Sequence, residues 1–199
     1  MAMSFRTFGL TSAILSLSLL AGCHDKGTAS SATPSEKDQA KLAKAEAKQQ
    51  TLQQEADTAL SDFRQTDPTV DGLLQRGVGY AIFPSIAKGG FIVGGAHGKG
   101  ILYEKGRAVG DAELSQASVG FLAGGQSFRE LIVFETPEVL EKFRSQQFSM
   151  GADVSAVAIK SGVGGAAQFK NGIAVFVKPI GGALFDASVA GQKFSVKPM

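Results

Sequence analysis

Glycine divides this chain in two. Between Glu36 and Arg64 there is neither glycine nor proline, and Ala, Lys, Gln and Glu dominate; most of the 25 glycines follow Gly77. A stretch without breakers can propagate a helix, while a stretch this rich in glycine cannot, so one long helix must precede a different kind of fold. Ser35 and Asp38 fit a capping box at the start of the helix. Leu42, Ala45, Gln49, Leu52, Ala56, Ala59 and Phe63 recur at steps of three and four and share one face. That face is weak at first and strong from Leu52, so the second half is expected to pack while the first half projects.

Asp67-Pro68 opens a second, short helix that Gly77 ends. The period then changes to that of strands. Strands are expected at Val78–Phe83, stopped by Pro84, and at Gly90–Ala96, Gly100–Glu104, Arg107–Val109, Leu114–Leu122 and Gln126–Glu135. His97-Gly98 and Lys105-Gly106 read as turns. Thr136-Pro137 starts a third helix, and strands resume at 154–159, 166–169, 173–178, 183–189 and 194–197, with a hairpin signal at Asn171-Gly172. Strands joined by short turns pair antiparallel. Glycine pairs at 89-90, 94-95, 124-125, 164-165 and 181-182 permit bulges and sharp coiling. The fold class is therefore α+β: a strongly curved antiparallel sheet or small β-barrel, with a long N-terminal helix and two short helices packed outside.

The N-terminus reads as an export signal. Arg6 supplies a positive charge, Leu10 to Ala21 an apolar run too short to span a bilayer comfortably, and Leu20-Ala21-Gly22-Cys23 closes it. This ending resembles the lipobox of bacterial lipoproteins, in which the cysteine is acylated after cleavage before it. The expected organisation is a signal peptide at 1–22, a small, polar tether at 23–35, a helix at 36–64 and a folded domain over 57–198. Cys23 is the chain's one cysteine, so the domain rests on its core without a disulfide. Loss of Arg6 takes the formal net charge from +2 to +1, which argues against nucleic acid as a partner. By the usual enterobacterial sorting rule, His24 after the cysteine points to an outer-membrane lipid anchor in the cell envelope.

Catalytic signatures do not assemble. Gly162 to Ala167 looks like a dinucleotide fingerprint, but Asn171-Gly172 leaves no room for the helix it needs. Ser85-Ile-Ala-Lys88 lacks the partner motifs of serine acyl-enzymes. His97 stands alone in the folded part, without the spacing of a metal site. Glu113, Glu130, Asp153 and Asp186 fall in no signature. No enzyme activity, metal or cofactor is expected. Lys37, Lys41, Lys44 and Lys48 form one stripe on the first helix. They fit attraction to anionic phospholipid as well as an ordinary solvated face.

The run Tyr80-Ala-Ile-Phe-Pro-Ser-Ile-Ala-Lys-Gly-Gly-Phe-Ile-Val-Gly-Gly95 resembles the signature of the SYLF domain family. The likeness continues through Gly98-Lys-Gly100, Ala117 to Gly120, Gly124 to Phe128, Leu131 to Phe134 and Gly151-Ala-Asp153. It implies lipid binding: eukaryotic members bind phosphoinositides and other acidic lipids, yeast relatives associate with actin, and bacterial members are often small exported or lipidated proteins. Two departures stand out. The N-terminal segment is Ala/Gln-rich rather than a basic amphipathic one, and Val109 to Ser115 is more acidic than a phosphoinositide-facing edge would be. The leading expectation is a non-enzymatic phospholipid-binding lipoprotein. Lys37, Lys41, Lys44 and Lys48 form one basic set, and Lys88, Lys99, Lys105 and Arg107 a second near the early strand turns. The alternative is an adaptor lipoprotein that binds an envelope protein and owes its membrane attachment to acylated Cys23 alone.

Overall fold

The structure, a computed structural model, describes residues 35–90, 93–119, 125–151, 156–158, 168–181, 189 and 191–199. The expected signal peptide, Cys23 and nearly all of the tether lie outside these residues. So do the glycine run at 162–167 and most of the strands expected at 166–169 and 183–189.

Helix α1 spans Glu36–Thr66. The Ser35 hydroxyl accepts from the Asp38 amide at 3.4 Å and donates to its carboxylate at 2.8 Å, satisfying one of the orphan donors of the first turn. The first half of α1 is exposed, with Leu42 at 58 %, whereas Ala56, Ala59, Leu60 and Phe63 are buried. The short helix α2 (Thr69–Arg76) begins where the Asp67 carboxylate accepts from the Thr69 amide at 2.8 Å and its hydroxyl at 2.7 Å. Gly77 ends α2 with an ordinary negative φ of −77°. Glycine is required there for space: a Cβ would come within 2.6 Å of Val133 and 3.0 Å of the Phe134 carbonyl.

Among the described residues seven strands follow: β1 (Gly79–Gly90), β2 (Val93–Glu104), β3 (Arg107–Val119), β4 (Gln126–Phe134), β5 (Ala156–Ala158), β6 (Ile173–Gly181) and β7 (Gln192–Pro198). Helix α3 (Pro137–Arg144) lies between β4 and β5. The sheet order is β5-β6-β4-β1-β2-β3-β7, antiparallel except where β5 joins β6. Among the described residues it stays open, with β5 and β7 at the edges, so the barrel expectation gives way to the curved sheet.

The curvature is visible in side chains. Four ladder spacings separate β4 from β7, about 19 Å if the sheet were flat. Yet Gln192 of β7 donates to Glu130 of β4 at 2.8 Å, and Phe83 of β1 lies 5.8 Å from Phe194 of β7. The face carrying these residues is therefore concave. Phe83, Phe134, Phe143, Phe148 and Phe194 fill it at one end, where α3 contributes Leu140 and Phe143. Lys88, Gln116, Gln126, Glu130 and Gln192 are also buried on this face. The convex face is covered by α1 and α2. Phe63, Leu60, Val70 and Leu73 pack there on Ile82, Ile101, Leu131, Val133 and Phe176.

Two expected strand ends turn out to be strand interiors. Pro84 does not stop β1 but sits in a register shift between Ile82 and Ser85, where the ladder does not need its missing N–H. His97-Gly98 is not a turn: both residues pair on each side, with Ala87 and Ile86 of β1 and with Ser115 and Leu114 of β3. Gly98 and Gly100 make room for the β1 bulge. A Cβ on Gly98 would come within 2.6 Å of Ile86, and one on Gly100 within 2.4 Å of the Ile82 carbonyl. The Lys105-Gly106 and Asn171-Gly172 turns are present, all four residues having positive φ.

Candidate functional site

Three residues set how α1 lies on the sheet. The Asp62 carboxylate accepts from Arg129 of β4 and from Lys178 Nζ of β6, the latter at 2.5 Å, and Lys178 also donates to Thr66 at 2.8 Å. Burial alone would raise Asp62, but the two cations outweigh it and hold the carboxyl below its ordinary value. Further along, Tyr80 and Tyr103 stack with centroids 4.8 Å apart, and the Tyr103 hydroxyl donates weakly to Asp57 at 3.5 Å. Desolvation and the Asp57 charge push the Tyr103 phenol up, so it remains a neutral donor.

Toward its N-terminus α1 lifts away from the sheet. The Gln49 amide still donates to Asp111 of β3 at 2.7 Å, and beside that tie opens a groove of about 600 Å³ between α1 and strands β2, β3 and β7. Lys44 and Lys48 line it from the helix, with Ala47 and Leu52, and Lys99, Asp111, Glu113 and Lys197 from the sheet. The ladder sets the pattern: Lys99 stands opposite Glu113, and Asp111 opposite Lys197. Among the described residues none of these four lysines has a carboxylate oxygen within 4 Å. Glu113 has instead His97 Nε2 at 3.5 Å.

The groove thus joins part of each expected lysine set. Lys41 and Lys37 continue the stripe on the exposed, projecting part of α1, about 5 and about 10 Å beyond Lys44 along the helix. Lys105 and Arg107 are exposed at the β2–β3 turn, roughly 20 Å along the strand from Lys99. Lys105 lines a separate cleft of about 520 Å³ with Tyr80, Glu104 and Leu140. Lys88 leaves the surface set altogether: it is 3 % exposed and faces the concave side, because the β1 bulge fixes which residues point inward. Ser85 is exposed while Lys88 is buried. Three positions apart on a strand put them on opposite faces, so the Ser-x-x-Lys pair does not assemble.

Sequence reasoning missed Lys197 and the pairing of Asp111 with Glu113 in one site. The acidity of Val109 to Ser115 was the available signal. It also gave no role to Glu130, which is fully buried and pushed up to about 8 by desolvation, opposed only by the hydrogen bond from Gln192.

The site is thus an open, charged groove beside a packed scaffold, with lysines and carboxylates on facing walls. Residues 115–198 match the family described as Ysc84, Las17-binding protein actin regulator. The match is consistent with a SYLF-domain protein, and that family is one of binding domains rather than enzymes. It is also similar to Beta cell expansion factor A of Aeromonas veronii, 26 % identical over 141 residues, which is 70 % of this chain and 53 % of that protein. The chain thus matches about half the length of that curated relative.

Proposed function

We propose that this protein is a non-enzymatic phospholipid-binding lipoprotein of the bacterial cell envelope, anchored in the outer membrane by acylated Cys23 and using the groove beneath α1 to engage lipid. The observation that carries the reading is the groove itself. It sets Lys44 and Lys48 of the helix stripe across from Lys99 and Lys197, beside the apolar wall of Ala47 and Leu52. Free ammonium groups near a membrane surface each contribute about 1 kcal/mol of attraction to anionic lipid. Lys37 and Lys41, on the projecting half of α1, extend the same attraction outward. The SYLF family's association with lipid binding supports this reading.

Two acyl chains suffice for stable anchoring, so the domain must be tested without them. Both hydrophobic clusters are built from residues between Ala56 and Val196, so a chain starting at His24 retains them whole. It is expected to float with vesicles of mixed bacterial phospholipid; a protein that stays at the bottom of the gradient refutes lipid binding by the domain. For the anchor, Cys23→Ser is expected to move the protein out of the membrane fraction. The family description, Las17-binding protein, favours a second reading, an adaptor for a protein partner. Crosslinking in intact cells that yields one abundant protein adduct, together with failed flotation, would establish that alternative.

A further inference from the structure

The groove is not a uniformly basic site. Four lysines line it, but so do three carboxylates, Glu55, Asp111 and Glu113. Asp111 and Glu113 are two residues apart on β3 and face the same side of the sheet, their side chains separated by about 7 Å. Lys99 flanks them on β2 at the level of Glu113, and Lys197 flanks them on β7 at the level of Asp111. Lys44 and Lys48 stand above on the helix. A ligand carrying only negative charge would gain from the lysines and be repelled by the central carboxylates. A ligand with a phosphate and an ammonium joined by a short link would satisfy both.

Resting on the phospholipid reading above, we propose that the groove selects the phosphoethanolamine headgroup of a zwitterionic phospholipid. The phosphate lies among Lys44, Lys48, Lys99 and Lys197, and the ammonium against Asp111 and Glu113. A primary ammonium carries three N–H donors, as a lysine does. It can therefore hydrogen-bond both carboxylates, and a charge-assisted bond of this kind is about twice as strong as a neutral one. The trimethylammonium of phosphocholine has the same charge and no donor. The carboxylates also act against competitors, since an anionic headgroup placed deep in the groove meets Asp111 and Glu113. Lys37 and Lys41 lie outside the groove and answer only to the overall surface charge. Approach and selection are thus carried by different lysines of one stripe.

The test holds surface charge constant. The chain starting at His24 is floated with vesicles of equal phosphatidylglycerol content, the remainder being phosphatidylethanolamine or phosphatidylcholine. Phosphatidylethanolamine vesicles are expected to bind about fivefold more protein, the difference one extra charge-assisted contact supplies. The double variant Asp111→Asn/Glu113→Gln, checked for an unchanged melting temperature, is expected to bind both vesicles equally. Equal binding by the parent chain overturns the headgroup assignment and leaves lipid binding intact. A preference that survives in the double variant also overturns it, because it then comes from bilayer packing rather than from the carboxylates. Failure to float with either vesicle overturns the lipid reading itself.

Discussion

Glu130 sits in the concave interior with no exposed surface, and its hydrogen bond comes from the neutral amide of Gln192. Its second oxygen has no partner among the described residues. An ionised carboxylate there would be desolvated and served by a single donor, so burial pushes the group up to about 8 from an ordinary 4.5. The folded protein therefore holds a proton that the unfolded chain releases. Stability linked to this group is fully present below pH 4.5 and is lost as pH rises toward 8. Within that window the slope is about 1.4 kcal/mol per pH unit, so raising the pH from about 5.5 to 7.5 removes roughly 3 kcal/mol. That is a large part of the roughly 5–15 kcal/mol available to a domain. Glu130→Gln keeps the shape, removes the proton and gives the Gln192 carbonyl oxygen a donor. Urea unfolding of both proteins across this range is expected to show wild type losing stability relative to the variant as pH rises, with the variant the more stable at pH 7.5 and above. Parallel curves would show that Glu130 is not protonated in the fold and would refute the reasoning.

Three further outcomes follow from packing and charge. Gly100→Ala places a methyl 2.4 Å from the Ile82 carbonyl and 2.6 Å from the Phe83 ring; it should lower stability by roughly 1–3 kcal/mol in denaturant unfolding. Asp62→Asn removes the carboxylate shared by Arg129 and Lys178 and should cost roughly 1–3 kcal/mol at neutral pH. Because Asp62 is held below its ordinary value of 3.8, the difference is present above that pH and should fade as acid protonates the wild-type carboxylate. Lys44→Gln/Lys48→Gln, on an exposed helix face, should leave the melting temperature unchanged and weaken binding to anionic vesicles by about thirtyfold at low salt.

The helices were legible because their signals are local. Ser35 with Asp38, Asp67-Pro68 and Thr136-Pro137 each start a helix through groups within three residues, and the structure uses all three starts. Pro84 and His97-Gly98 misled for the converse reason. Both are turn signals in isolation, and their roles depend on a neighbouring strand: the β1 bulge absorbs Pro84, and Gly98 with Gly100 makes room for that bulge. A glycine that serves a turn and a glycine that serves close packing look the same in one dimension. The choice between an open curved sheet and a barrel was likewise a matter of edges. Strand composition specifies coiling, but whether β5 meets β7 depends on pairing across most of the chain length.

The same distinction governs the candidate site. The helix stripe is a local pattern at steps of three and four, and it brings Lys44 and Lys48 to the groove together. Lys99, Asp111, Glu113 and Lys197 meet only through the β2–β3–β7 register, which no spacing in sequence encodes. Lys88 shows how far charge alone can mislead: one bulge upstream turns it from the surface to the interior. The acidic stretch from Val109 to Ser115 first counted against a lipid-facing edge, because a phosphoinositide would be repelled by it. Placed beneath the lysines of α1, its two carboxylates answer a different question. On the phosphoethanolamine proposal they do not decide whether the edge meets lipid but which headgroup can sit deep in it, and a zwitterion is the ligand for which the lysines and the carboxylates are both attractive.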